Sequence, residues 1–174
     1  MKKIEYPGIA RELLRMETRD QAMRLKNLSD PSYWLEGLDR EHTQEMESIV
    51  SRIGWPTISK VGRTGAKAAW ILVQHADHAV EFQKYCLKLM RDASPGEVEL
   101  RDIAYLEDRV RVNSALPQLY GTQFHDRPDG IMEPRPIEYV GSVDERRKEM
   151  GLCSLEEGVQ QHRRKYRQKN KQPN

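Results

Sequence analysis

Ala68-Ala69-Trp70-Ile71-Leu72-Val73, the longest apolar run in the chain, passes directly into Gln74-His75-Ala76-Asp77-His78. With the residues before it, the run reads as a helix from Ala66 to His75 that is apolar nearly all round. That is the pattern of an element packed on several sides. A central helix of this kind requires other helices to cover it, and its C-terminal end delivers imidazoles and a carboxylate beside the core.

The covering elements lie on both sides in sequence. Ile9, Leu13, Leu14, Met16, Ala22, Met23 and Leu25 follow helical spacing from Pro7 to about Lys26, with Pro7 suited to a first turn. Asp30-Pro31 signals a turn or a helix start. Around an irregular lead-in over 28–39, Leu35, Leu38, Met46, Ile49, Val50 and Ile53 predict helical packing up to Gly54. Trp55-Pro56-Thr57 begins an extended connection through Val61-Gly62-Arg63, with Thr64 as a cap for the central helix. Downstream, Asp77 is placed to cap a helix from His78 to Met90. The Ser94-Pro95-Gly96-Glu97 box opens another, whose stripe is Ile103, Leu106 and Val110 and whose end is near Asn113.

After Pro117 the pattern changes to period two, Leu119, Gly121 and Gln123 against Tyr120, Thr122 and Phe124, which reads as a strand. Asp129-Gly130 is a turn signal, and Pro134 and Pro136 confine the returning segment to an edge. Ser142-Val143-Asp144-Glu145 and Ser154-Leu155-Glu156-Glu157 are capping boxes separated by Gly151. The prediction is a mainly α fold, a single-domain helical bundle over 1–161 with a small β-hairpin near residues 118–137, followed by a basic tail at 162–174.

The 174 residues suffice for one core, although 37% hydrophobic and 32% charged residues leave much solvated surface. No stretch approaches the roughly 20 apolar residues of a membrane span, and the first seven residues lack the apolar region of a secretion signal. A soluble cytoplasmic protein with no membrane association is expected. Cys86 and Cys153 stand far apart without CxxC spacing, which points to reduced structural thiols. The net charge of +2 conceals an asymmetry: six Lys and Arg and no acid lie in 162–174, leaving −4 for 1–161. Nucleic acid could therefore be met only through the tail.

Several residues suit chemistry. His75 can act as acid or base near neutrality, with Asp77 or Asp108 to orient it. Asp77 reads equally as a helix cap, and His78 as a surface residue. On a continuous helix His75 and His78 share one face, and Gln74 and Asp77 the neighbouring one. Although His75, Asp77, His78 and Asp108 are all metal-ligand types, their spacing matches no metal signature, and neither a metal nor another cofactor is predicted. Arg109 can hold a carboxylate or phosphate, or join an Asp-Arg network that pins its helix. Gln118, Tyr120, Gly121, Thr122 and Gln123 spend more hydrogen-bonding groups than a short strand needs. Tyr120 can serve as an acid, the glutamines and Thr122 can bind amides or hydroxyls, and Gly121 allows close approach. Lys60, Gly62 and Arg63 form a weak anion-loop signal. Trp34, Trp55, Trp70 and Phe82, like Met16, Met23, Met46 and Met90, read as core.

The blocks Gly54-Trp55-Pro56-Thr57, Gln74-His75-Ala76-Asp77, Asp108-Arg109-Val110, Gln118-Leu119-Tyr120-Gly121-Thr122-Gln123 and Arg146-Arg147 through Gly151-Leu152 resemble those of a bacterial domain family of unknown function, over about 54–157. The resemblance implies that these polar blocks belong to one domain type and supplies no activity. The chain departs from the pattern at Ala79, where an acidic residue is expected, and at Tyr139, where Asp is. The functional expectation is an enzyme modifying a small molecule or peptide by hydrolysis or group transfer, with His75, Asp77, Asp108 and Tyr120 catalytic. Gln74, Arg109, Gln118, Gly121, Thr122 and Gln123 would bind its ligand. The alternatives are a non-catalytic module binding a ligand or partner, and nucleic-acid association through the tail.

Overall fold

A computed structural model of the chain describes residues 3–30, 32–35, 37–127 and 131–169, with side chains through Arg164. It is mainly helical, with seven α-helices and one two-stranded antiparallel hairpin among these residues. The contacts gather into two compact units, 1–99 and 100–174, and the boundary falls just after the Ser94–Glu97 turn.

The first unit holds α1 (Pro7–Ser29), α2 (Leu38–Ile53), α3 (Ile58–Gln74) and α4 (Val80–Arg91). Helix α3 touches the other three, most extensively α1, as its all-round apolar character requires. Ala68 and Ala69 of α3, Leu13, Met16 and Met23 of α1, Met46 and Ile49 of α2, and Cys86 and Met90 of α4 are buried and make up much of the core. Fully buried side chains such as Leu13 and Met46 each contribute about 1.5–3 kcal/mol by leaving water. All four methionines expected in the core are there. Trp55 is buried, whereas Trp34 is largely exposed beneath the Arg24 guanidinium, 5.3 Å from its ring centre, so it is not a core aromatic.

The central helix begins earlier than Ala66. Its first turn starts at Ile58 because Glu97, distant in sequence, supplies the acceptors that free helical N–H groups need: its carbonyl takes the Ile58 N–H at 3.1 Å and its carboxylate the Ser59 N–H at 2.8 Å. Non-helical Gly62 (φ 76°, ψ 163°) breaks the helix before it resumes. The expected anion loop is spent on structure: Lys60 hydrogen-bonds the carbonyls of Ile53 and Trp55 at the end of α2, and Arg63 pairs with Glu99. Helix α3 ends at Gln74 with His75 as its C-cap, so His75 and His78 share no helical face. Helix α4 starts at Val80 with Ala79 at its N-cap and no side-chain cap, so the expected Asp77 cap of α4 is not formed; the exposed Asp77 carboxylate receives Gln83 Nε2 at 3.4 Å. His78 is exposed, as expected.

The second unit holds α5 (Leu100–Asn113), β1 (Phe124–Asp126), β2 (Met132–Pro134), a 3₁₀ turn at Val140–Ser142, α6 (Val143–Glu149) and α7 (Leu155–Lys169). The hairpin pairs Phe124 with Pro134 and Asp126 with Met132. Its expected turn, Asp129-Gly130, lies outside the described residues. Of the three capping boxes one forms: Glu157 accepts the Ser154 N–H at 3.1 Å and donates its own N–H to Ser154 Oγ at 3.3 Å. Ser94-Pro95-Gly96-Glu97 makes a turn instead, because Glu97 is engaged at α3, and Ser142 makes no cap bond. The basic segment from His162 begins inside α7.

Tyr139 sits in the left-handed region (φ 50°, ψ 62°) with 75% of its surface exposed. Asn or Asp tolerates that conformation better than a bulky side chain. Tyr139→Asn is therefore expected to raise unfolding stability by about 0.5–1 kcal/mol, read as a higher urea midpoint at unchanged slope. A lower midpoint would show that the tyrosine ring contributes contacts worth more than its backbone strain.

Candidate functional site

In the first unit, residues from three helices meet at the end of α3. The stripe Leu13, Met16, Asp20, Met23 of α1 advances by three or four residues and is buried throughout, so Asp20 places a carboxylate where an apolar side chain belongs. That carboxylate lies 2.9 Å from His75 Nδ1 and accepts from Gln21 Nε2 at 2.8 Å and Arg24 Nε at 3.0 Å. Arg24 also reaches Asp39 of α2 at 2.6 Å. Although Arg24 Nε stands 3.0 Å from His75 Nδ1 as well, the ionised Asp20 is the stronger acceptor for both N–H groups. Nδ1 of His75 therefore carries the proton.

Burial alone would raise the Asp20 pKa. The hydrogen bond and charge of His75, with Arg24 and Gln21, outweigh it and hold the carboxyl below its ordinary range. His42 of α2 stands close enough to feel the Asp20 charge, is buried, and has neither ring nitrogen hydrogen-bonded among the described residues. Desolvation dominates there and depresses its pKa, so His42 is neutral at physiological pH. Gln74 is buried beside His75 in sequence, and its Nε2 likewise lacks a partner among the described residues. His75 keeps 23% of its side chain exposed, and no hydrogen bond to its Nε2 is present among the described residues.

The second unit collects most of the other predicted site residues around one loop. Asp108 of α5 is fully buried and accepts the N–H groups of Leu119 (2.7 Å), Tyr120 (3.0 Å) and Thr122 (2.9 Å) together with the Thr122 hydroxyl (2.9 Å). Burial pushes its pKa up against the pull of these donors. From the other side, Arg146 donates to the Leu119 carbonyl at 2.9 Å and Arg147 to that of Tyr120. Gln118 has no exposed surface; its amide donates to the carbonyls of Gln123 and Arg135 and accepts the Gln123 N–H. Gln123 in turn accepts from Arg109 at 3.2 Å.

The 118–123 segment is thus no strand. Only its ends pair with other backbone, Gln118 in an isolated bridge with Ile137 and Gln123 through the Arg135 N–H; between them charged side chains on two helices replace a strand ladder as hydrogen-bond partners. At Gly121 (φ 69°), where approach of a ligand or another backbone was expected, the groups that approach are side chains: a Cβ there would lie 2.6 Å from Leu155 Cδ1 and 2.8 Å from Ile137 Cδ1.

His75, Gln74 and Asp77 therefore belong to one unit, and Asp108, Arg109, Gln118, Tyr120, Gly121, Thr122 and Gln123 to the other. Within the first unit His75 is brought together with Asp20 and Arg24, which sequence reasoning missed. A charge inside the α1 stripe was the available signal. No curated protein and no solved structure matches the sequence. The family match extends well beyond 54–157, covering residues 7–171 and therefore α1 with Asp20: the chain belongs to DUF6624, a family of unknown function.

Proposed function

We propose that the protein is an acid–base enzyme, a hydrolase or group-transfer catalyst for a small molecule or peptide, with His75 as its proton-transfer group and Asp20 as the residue that positions it. The observation supporting this reading is the buried Asp20 carboxylate 2.9 Å from His75 Nδ1. It fixes the neutral tautomer with a lone pair on Nε2, the atom that can take a proton from water or a substrate hydroxyl. Once His75 is protonated, the same carboxylate stabilises the imidazolium, and Arg24 keeps that carboxylate ionised. Nε2 then returns the proton to a leaving group. Asp108 and Tyr120 receive no proton-transfer role here, because the Asp108 oxygens are taken up by the 119–122 loop.

The test is His75→Gln, assayed beside the parent protein on p-nitrophenyl esters, p-nitrophenyl phosphates and short peptide amides. Turnover should fall about 10²–10⁴-fold, with circular dichroism and melting temperature preserved. Undiminished turnover in the variant ends the reading. Retained substrate affinity with no turnover by either protein would favour a non-catalytic binding module.

A further inference from the structure

The second unit contains a cavity of about 250 Å³ whose walls include Arg101, Tyr105, Thr122, Arg147 and His162, with no Asp or Glu among the described residues lining it. Arg147 is the informative member. Only 4% of it is exposed, and its Nε donates to the Cys153 carbonyl at 2.7 Å, its Nη1 to the Tyr120 carbonyl, and its Nη2 only approaches Cys153 Sγ at 3.8 Å. Among the described residues no carboxylate lies within ion-pair distance of it. A buried cation without a counter-ion is costly, because neutral carbonyls offset its desolvation only partly.

The fold goes out of its way to keep that guanidinium there. Gly158 lies in the interior of α7, where glycine costs about 0.5–1 kcal/mol relative to alanine, and a Cβ at that position would stand 2.7 Å from Arg147 Nη2. Arg101, exposed at the start of α5, is likewise without an ion pair among the described residues. His162 forms an aromatic wall, stacked on Phe124 at 4.0 Å between ring centres and 3° between planes.

We infer that this cavity binds the phosphate group of a small phosphorylated molecule, with Arg147 supplying the buried charge, Arg101 the charge at the mouth, and His162 and Tyr105 further polar contacts. Two arginines in a cavity lined by no Asp or Glu among the described residues suit a dianion better than the single charge of a carboxylate. The volume admits a small metabolite and not a polymer segment. The inference uses the second unit alone and stands whether or not His75 is catalytic.

Titration calorimetry of the full chain with inorganic phosphate and phenyl phosphate, against acetate and benzoate, tests it. Phenyl phosphate should bind at least tenfold more tightly than benzoate, and the amide resonances of Gly121, Gly151 and Gly158 should shift on binding. Arg101→Ala, which removes an exposed side chain, should weaken phenyl phosphate at least tenfold with an unchanged melting temperature. Lys148→Ala, an equal loss of charge on α6 away from the cavity, should leave the affinity within twofold. Equal binding of benzoate and phenyl phosphate, shifts confined to other amides, or equal losses in the two variants would overturn the proposal.

Discussion

Asp108→Asn should destabilise the second unit by about 3–5 kcal/mol. Three backbone N–H groups and one hydroxyl converge on the two Asp108 oxygens. An asparagine keeps one acceptor and turns the other into a donor facing donors. Each buried N–H left unsatisfied costs about 1–3 kcal/mol, and one rotamer of the amide can still serve part of the set. Among the described residues no strand ladder over 119–122 supplies backbone acceptors in its place. The measurement is native-state hydrogen exchange: the amides of Leu119, Tyr120 and Thr122 should lose protection by at least two orders of magnitude. Unchanged protection would mean that the loop is held by Arg146 and Arg147 alone.

Asp20→Asn carries the second large effect, on activity and on acid stability. The amide can no longer accept from His75 Nδ1–H with the strength of a carboxylate, and the tautomer is free to reverse, which places a hydrogen on Nε2 and removes the base. With His75 as the proposed base, a fall of about 10²–10⁴ in kcat is expected, with KM changed less than threefold. Long-range proton–nitrogen spectra should show the His75 tautomer changing in the same variant, a readout that a purely structural Asp20 would not move.

The acid limb follows from the two depressed pKa values of this cluster. His42 titrates below its ordinary 6.5 in the folded state, so the unfolded chain takes up that proton first and stability falls as the pH drops from 6.5. Asp20, held below its ordinary 3.8, adds a further loss as the pH falls below 3.8 toward its folded value. Asp20→Asn should retain the first loss and lack the second. A variant that keeps both would show that Asp20 does not titrate differently in the folded and unfolded chains.

What could be read from the sequence was what depends on near neighbours. Pro7 at the start of α1, the left-handed Gly54 after α2 and the Ser154–Glu157 box all act within a turn of the backbone they control. The start of α3 could not be read, because its cap is Glu97, 38 residues away. Period-two alternation at 118–123 suggested a strand, since a side-chain carboxylate serving in place of a partner strand has no local signature. His75 stood out in the sequence by its position at the end of an apolar run. Its partner did not: pairing α1 with α3 brings Asp20 within reach across 55 positions. Asp77, two residues away, was the nearer and less informative carboxylate.

The anchoring of the 119–122 loop also sets an order of events during synthesis. Its N–H groups are met by a residue already made, but the Leu119 and Tyr120 carbonyls wait for Arg146 and Arg147, each 27 residues later. A ribosome adding about 5–20 residues per second leaves the loop half-secured for a second or more. A chain ending before α6 would hold the 119–122 N–H groups through Asp108 and leave the Leu119 and Tyr120 carbonyls without their arginines.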